Sequence, residues 1–386
     1  MAQQGLNRKQ VLGLAALGAG ALAFRPGLGV AAAAAPVASA APVTRAGPRT
    51  ENGVAWWDVA EWGVEGKGWS DTARFYDRLP ARAEQTVRPV VWELSRNAAG
   101  MQVRFATDSP SVHARYVLRS SRLALPHMPA TGVSGIDLYA QDAAGRLRWA
   151  GVTKPASTSV TERLLNGADP GMRQYTAYLP LYNGVESLEI GVEAGAAFRP
   201  VAPRTRRPVV FYGSSIAQGA CASRPGMAFP AVLGRRLDVP TVNLGFSGNA
   251  FMEPEVGDLL AELDPSVYVV DCLPNMTPDL VAERAEPLIR RLREARPDTP
   301  IVMVEDRTYA NAWLVGALRA RHEGSRAAYR EAYRRLRTSG VKGLSYLEGE
   351  GLLGDDDEAT TDGSHPSDLG MARYADAYTQ VLRRLL

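Results

Sequence analysis

The hydrophobic period of this chain changes once, and that change limits what it can fold into. From residue 43 to about 195 the apolar residues come in short or alternating runs, among them "VVWEL", "MQVRFAT", "VHARYVL", "GIDLYA", "LRWAGV", "RQYTAYLPL" and "ESLEIGVE", parted by Gly, Pro, Asn and Asp. A period of two with frequent turn residues predicts an all-β sandwich of jelly-roll-like kind over residues 43–195. "AGAAFRPVAPRTRRP", Ala194 to Pro208, carries three prolines and four arginines, and a linker over residues 196–206 is expected there. From residue 207 onward strand-like runs alternate with helical stretches: "VVFYG" then "MAFPAVLGRRL", "TVNLGF" then "PEVGDLLAEL", "VYVVDCL" then "PDLVAERAEPLIRRLREA". "IVMVED" then "SRAAYREAYRRLRTSG", and "LSYLEG" then "SDLGMARYADAYTQVLRRLL", continue the series. Five such pairs predict an α/β domain over residues 207–386, a five-stranded parallel sheet between helices.

The first forty residues follow neither pattern. Arg8 and Lys9 precede the apolar "VLGLAALGAGALAF", and small residues ending "ASA" at Ala38 to Ala40 follow, which is the layout of an export leader. "NRKQVL" approximates a twin-arginine signal, with Lys9 where the second arginine would stand. A spanning helix needs about 20 apolar residues, whereas this stretch is broken by glycines and by Arg25-Pro26. A cleaved leader is therefore expected rather than an anchor, with the mature protein secreted or periplasmic and not inserted in a membrane. The chain holds 44 Lys and Arg against 41 Asp and Glu; losing residues 1–40 removes Arg8, Lys9 and Arg25 and no acid, leaving 41 of each. A formally neutral chain gives no reason to expect a nucleic acid as partner.

In open α/β sheets, sites form beyond the carboxyl ends of the strands. "FYGSSIAQGACAS" places Ser214 and Ser215 directly after the first strand of the second domain, in the manner of other strand-to-helix nucleophile turns. A serine hydroxyl needs a base to take its proton, and the base needs a partner to fix its tautomer. The chain has four histidines. His113 falls in a strand-like run and His322 in the polar stretch "RARHEG", so both read as structural or solvated. His365 differs: in "TDGSHPSD" Asp362 stands three residues ahead, in a loop that opens on the same edge of the sheet as Ser215. An oxyanion also needs donors. Gly248 in "NLGFSGN" offers a backbone N–H that no side chain screens, or only a tight turn; Asn275 in "DCLPNM" offers an amide, or only a cap for the helix near Pro278.

Taken in order, the ends of strands one, two, three and five supply Ser, Gly, Asn and His. Here the sequence resembles the SGNH (GDSL-type) hydrolases, with "GSSIAQG" as the first block, Gly248 and Asn275 as the second and third, and Asp362 with His365 as the last. The resemblance spans about Arg207 to Leu386, makes Ser215 rather than Ser214 the nucleophile, and implies a flavodoxin-like fold. It departs from the family at Ser214, in place of the usual aspartate, at Leu273-Pro274, in place of glycines, and at Met276, in place of an aspartate. "GIDLY", Gly135 to Tyr139, looks like the G-x-D-L-Y stretch of a bacterial branch with an N-terminal β domain, and "GACASRPGM" and "DCLPNM" resemble that branch too.

The family likeness implies acyl transfer to Ser215, with His365 as base and then acid, Asp362 holding its ring, and an oxyanion hole of the Ser215 and Gly248 N–H groups and the Asn275 amide. Expected substrates are small acyl esters or acylated carbohydrates, with lipid esters or thioesters as a second reading and a non-catalytic carbohydrate-binding protein as a third. No cofactor and no metal is implied. "ALPHMPATG" carries His127 and Met128, which line one wall of the site or only the domain interface; Cys221 and Cys272 form a disulfide or stay two buried thiols. "VAWWDVAEWGVEGKGW" is expected to pack rather than stack on sugars, and "GDDDEATTDG" lacks the spacing of a calcium loop.

Overall fold

A computed structural model of the chain describes residues 47–386; the export leader expected over residues 1–40 lies outside the described residues. Strands come first: β1 (Arg49–Glu51), β2 (Val54–Asp58), β3 (Gln102–Thr107), β4 (Val112–Leu118), β5 (Asp137–Gln141), β6 (Leu147–Val152), β7 (Ser159–Leu165), β8 (Arg173–Tyr178), β9 (Val185–Glu193) and β10 (Phe198–Val201). They form two antiparallel sheets, ordered β1-β2-β9-β4-β7 and β10-β3-β8-β5-β6. Leaving out the outermost β1 and β10, that is the strand order of a jelly roll. Alternate residues such as Val103, Phe105, Ala114, Tyr116, Tyr175 and Ala177 fill the layer between the sheets, as the period of two requires.

The second lobe is a parallel sheet of β11 (Val209–Gly213), β12 (Thr241–Gly245), β13 (Val267–Asp271), β14 (Ile301–Val304) and β15 (Leu344–Leu347), in the flavodoxin-like order β12-β11-β13-β14-β15. All five residues of β11, β12 and β13 are buried. Val210, Tyr212, Leu244 and Val270 face one apolar cluster; Val209, Phe211, Val269 and Val302 face another, so helices cover both sides. No helix of the described residues is long and apolar enough to cross a membrane.

The lobes pack into one compact unit, and buried charges join them. Asp137 of the "GIDLY" stretch is fully buried; its Oδ2 accepts from Arg224 Nη1 at 2.9 Å and the Gly226 N–H at 2.8 Å, and its Oδ1 from Trp149 Nε1 at 3.1 Å. Tyr139 adds its hydroxyl to Arg224 at 2.6 Å. A Cβ at Gly226 would lie 2.4 Å from the Tyr139 ring and 2.8 Å from the Asp137 carboxylate, so only glycine allows this approach. Arg78, 1% exposed, reaches from the first lobe to the carbonyls of Asn243 (3.0 Å) and Gly245 (2.8 Å) in β12, and also takes those of Leu94 and Asn97. Burial pulls its guanidinium below its ordinary pKa, and four carbonyl dipoles stand in for a counter-ion.

Two expectations need correction, and one open alternative is settled. "VVWEL" is not a strand but most of a helix, Pro89–Ser95, because Pro89 sits at its first turn and buries Val91, Trp92 and Ser95 on one face. The stretch read as a linker is partly sheet: Phe198–Val201 pairs with β3 as an edge strand, where the missing N–H of Pro200 is tolerated. Cys221 and Cys272 are free and buried; they belong to the apolar clusters on opposite faces of the parallel sheet, which keeps the thiols from meeting. The tryptophan-rich segment packs, with Trp56, Trp62 and Trp69 at 4%, 6% and 9% exposure.

Removing Asp137 strands the Arg224 cation and the Gly226 N–H at the lobe interface, so Asp137→Ala is expected to lower the unfolding free energy by about 3 kcal/mol, and Asp137→Asn by less. Urea titration of the three proteins checks this. At the end of β13, burial pushes the Asp271 carboxyl up to about 7; the Tyr378 hydroxyl donating to it at 2.7 Å lowers it, Asp306 raises it and Arg307 lowers it. A carboxyl that holds its proton more tightly folded than unfolded costs stability as pH rises from about 4 towards 7. Stability measured at pH 5 and pH 8 is expected to fall across that interval in the parent and to change less in Asp271→Asn.

Candidate active site

Ser215 opens the short helix Ser215–Gln218 that follows β11. Ser214 is fully buried, and its hydroxyl accepts from the Ile216 N–H at 3.3 Å, capping that helix, which removes it from candidacy as a free hydroxyl. The Ser215 Oγ lies 2.9 Å from His365 Nε2, and His365 Nδ1 lies 2.7 Å from Asp362 Oδ2. Asp362 Oδ1 accepts from the backbone N–H groups of Ser364 (3.0 Å) and His365 (2.8 Å). Its carboxyl stands below its ordinary pKa: burial alone would raise it, but the hydrogen bonds and charge of His365 outweigh that. Both carboxylate oxygens are engaged, so the ring can hardly rotate away from Ser215.

Gly248 has φ +68 and sits third in a turn closed by the Asn249 N–H on the Phe246 carbonyl at 2.8 Å. A Cβ there would meet nothing within 4 Å, so the backbone conformation, and not crowding, asks for glycine. Asn275 ends a short turn over Leu273–Asn275 after β13. Its Oδ1 accepts from the Ala250 N–H at 3.2 Å, which fixes the amide with Nδ2 as the free donor. The capping alternative is overturned: Thr277 caps the helix Pro278–Ala295, accepting from the Leu280 N–H at 3.4 Å. Neither the Ser215 nor the Gly248 N–H has an acceptor among the described residues.

The β lobe supplies part of the site. Pro126 and His127 are the central residues of a turn in which the Met128 N–H bonds the Leu125 carbonyl at 3.0 Å. That turn holds the His127 ring stacked on His365, with centroids 5.7 Å apart and planes 28° apart. Met128 points instead into the apolar cluster under the site and is 2% exposed. Tyr182 donates its hydroxyl to the Ser215 carbonyl at 3.3 Å. Arg307, 1% exposed and paired with Asp306, donates Nε to the Ser364 carbonyl at 3.1 Å and Nη2 to the Ser364 hydroxyl, anchoring the residue before His365. Neither Tyr182 nor Arg307 is announced by a motif; "EDR" directly after a strand was the one available hint of the second.

Cys221 completes the neighbourhood. Its Sγ lies within 4.8 Å of donor atoms of Asp362 and His365, the one such His/Cys/carboxylate group among the described residues. Burial pushes the thiol up to about 11, helped by Asp362 and opposed by a hydrogen bond with Thr361, and a protonated thiol is a poor ligand. Since Asp362 and His365 are engaged with each other, nothing in the donor set calls for an ion. His113 and His322 stand elsewhere: His113 beside Ser111 in β4, His322 buried in the helix Gly316–Thr338.

Residues 206–383 match the model of the GDSL-like lipase/acylhydrolase family, and residues 54–198 match that of the GxDLY N-terminus of SGNH hydrolase-type esterases. A Bacteroides ovatus protein described as a GDSL-like lipase is 33% identical, with TM-score 0.82 over 86% of this chain and 98% of its own. More distant likenesses, which show the fold alone, include a salicylyl-acyltransferase from a tetracycline biosynthetic pathway (18% identity, TM-score 0.65, 88% and 96% covered). Another is a family two carbohydrate esterase from Clostridium thermocellum (14%, TM-score 0.53, 74% and 92% covered). No curated protein matches the chain. With a 33% identical relative covered almost end to end, the chain belongs to the GDSL-like lipase/acylhydrolase family of ester hydrolases, in the branch that carries a GxDLY N-terminal lobe.

Proposed function

We propose that the protein is an exported serine esterase that removes short acyl groups, acetyl foremost, from carbohydrate through an acyl intermediate on Ser215. The observation that carries this reading is the relay Ser215–His365–Asp362, with hydrogen bonds of 2.9 and 2.7 Å. His365 Nε2 takes the Ser215 proton as Oγ attacks the ester carbonyl; Asp362 holds Nδ1–H and stabilises the imidazolium without taking the proton. The oxyanion is met by the N–H groups of Ser215 and Gly248 and by Asn275 Nδ2. His365 then protonates the leaving alcohol, and water repeats the sequence to free the acid and Ser215.

Carbohydrate as the acyl carrier is supported by the shared fold, since an acetyl xylan esterase from Butyrivibrio proteoclasticus also has it (10% identity, TM-score 0.54). Trp313 supports it too. It is 72% exposed, in the segment before the helix Gly316–Thr338, and that segment is tied to the catalytic loop by the Ala310 N–H on the Gly363 carbonyl at 3.0 Å. A sugar ring can stack on such an indole. Export rests on the leader layout of residues 1–40.

Hydrolysis of p-nitrophenyl acetate, butyrate and octanoate, and acetate release from acetylated xylo-oligosaccharide, test the reading. Turnover is expected to fall with chain length. Ser215→Ala is expected to lose about 10⁴-fold or more, Asn275→Ala about 10²–10³-fold, and Ser214→Ala to keep its chemistry with a loss of about 1 kcal/mol of stability. Equal rates in Ser215→Ala and the parent would end the proposal; octanoate preferred over acetate would end its short-acyl part.

A further inference from the structure

A cavity of about 570 Å³ lies between the outer face of the second β sheet and the C-terminal half of the helix Phe229–Leu237. That helix follows β11 in a parallel sheet, so its end lies at the sheet edge opposite Ser215. The cavity is therefore separate from the catalytic site. Its floor follows from strand alternation: Val103, Phe105, Tyr175 and Ala177 face the sandwich core, while Arg104, Gln174 and Thr176 face outward, with Arg104 directly opposite Thr176 across β3 and β8. The outer face of a sandwich ordinarily meets water. Here it is roofed by a helix that brings more arginines.

Most of those cations are already paired. Arg204 is bound by Glu65 and Asp238, Arg146 by Asp142 and Arg236 by Asp376. Arg104 and Arg235 have no carboxylate within ion-pair reach among the described residues, and both line the cavity. Arg235 lies over the rings of Tyr139 (4.2 Å) and Tyr178 (5.3 Å), which hold it without neutralising it. Arg104 is half-buried on the strand, and burial holds its guanidinium below the ordinary value, partly offset by Glu65. Thr176 is 3% exposed and lines the cavity. Gln174 and Gln141 add amides on the same wall, the second held by the Gly145 carbonyl at 2.9 Å so that its oxygen remains free. Two guanidinium groups with no direct ion-pair partner among the described residues call for an anion, and a hydroxyl with two amides calls for a polyol; Asp238, which also lines the cavity, is taken up by Arg204.

We propose that this cavity binds an acidic sugar unit of a saccharide, its carboxylate between Arg104 and Arg235 and its ring hydroxyls on Thr176, Gln141 and Gln174. The volume is within the range of small-ligand pockets and exceeds what a lone ion needs. The site does not depend on which ester the protein cleaves.

Calorimetric titration of the full-length mature protein with digalacturonate tests this, with cellobiose as the neutral counterpart and inorganic sulfate as the bare anion. Digalacturonate is expected to bind, more weakly as salt is raised, and Ser215→Ala to bind it equally. Arg104→Gln is expected to weaken binding at least tenfold while p-nitrophenyl acetate hydrolysis stays at the parent level. Should Arg104→Gln fold poorly, Gln174→Glu, which places a repelling charge at a half-exposed position, is expected to give the same loss. Unchanged affinity in the folded variant, or no heat with digalacturonate at millimolar concentration, overturns the proposal. So does equal binding of cellobiose, which removes the anion, or of sulfate, which leaves an ion site only.

Discussion

The site depends on a buried charge clamp between the two lobes. Asp137 has no exposed surface, and its oxygens hold Arg224 and the Gly226 N–H, in the segment that leads from the Ser215 helix to the next one. Arg78 does the same from the other direction, pinning the carbonyls of Asn243 and Gly245 just before the turn that carries Gly248. Buried charges of this kind are weak sources of net stability but strong sources of registry, because any slip leaves a charge unpaired in a poor dielectric. Registry is what the site needs, since the β lobe lays His127 over His365 and brings Tyr182 to the Ser215 carbonyl. The "GIDLY" stretch is therefore best understood as the part of the clamp that reaches across.

Much of the second lobe is readable from the chain alone. Strand-like runs separated by amphipathic helices leave few arrangements, and the residues after each strand must emerge at one edge. Hence Ser215, Gly248, Asn275 and His365 could be assembled on paper before any distance was known. His127 was readable to a lesser degree, from a Pro-flanked turn before a family stretch. What escaped the sequence was of another kind. "RPVVWELS" has an apolar run too short to separate helix from strand, and the proline that decides it works through the first turn of the helix. Arg78 and Arg307 carry no motif signal in the sequence, because nothing local tells an arginine that four carbonyls or an aspartate wait for it in the interior.

Cys221 illustrates the same limit in reverse. Sequence offers it a disulfide with Cys272, yet the sheet separates the two clusters they occupy. Cys221 also takes a positive φ of 66° beside Asp362 and His365, a strained setting for a residue with a Cβ. Its neighbours are Asp362 and His365, but burial keeps the thiol protonated, so it adds bulk and not charge beside the carboxylate.

The order of the parallel sheet accounts for the division of labour in the site. β11 has β12 on one side and β13 on the other, so the loops after those strands flank Ser215, and Gly248 and Asn275 come to it from both sides with short turns. Asp362 and His365 face a harder problem. They follow β15, which is three strand spacings from β11, a distance of about 14 Å at the usual separation. The long segment between β15 and the final helix, Asp368–Leu382, must therefore travel back across the tops of β14 and β13 before it reaches Ser215. A free segment of that length would hold an imidazole poorly, and a displacement near 1 Å costs about 10²-fold in rate. Arg307 stands directly on that route, after β14, and grips Ser364 through both its carbonyl and its hydroxyl. Asp362 closes the last turn on itself with the two backbone N–H groups. The short route from β12 and β13 needs only glycine and an oriented amide, while the long route from β15 needs a buried arginine, and that asymmetry explains why one half of the site is written in compact motifs and the other half is not.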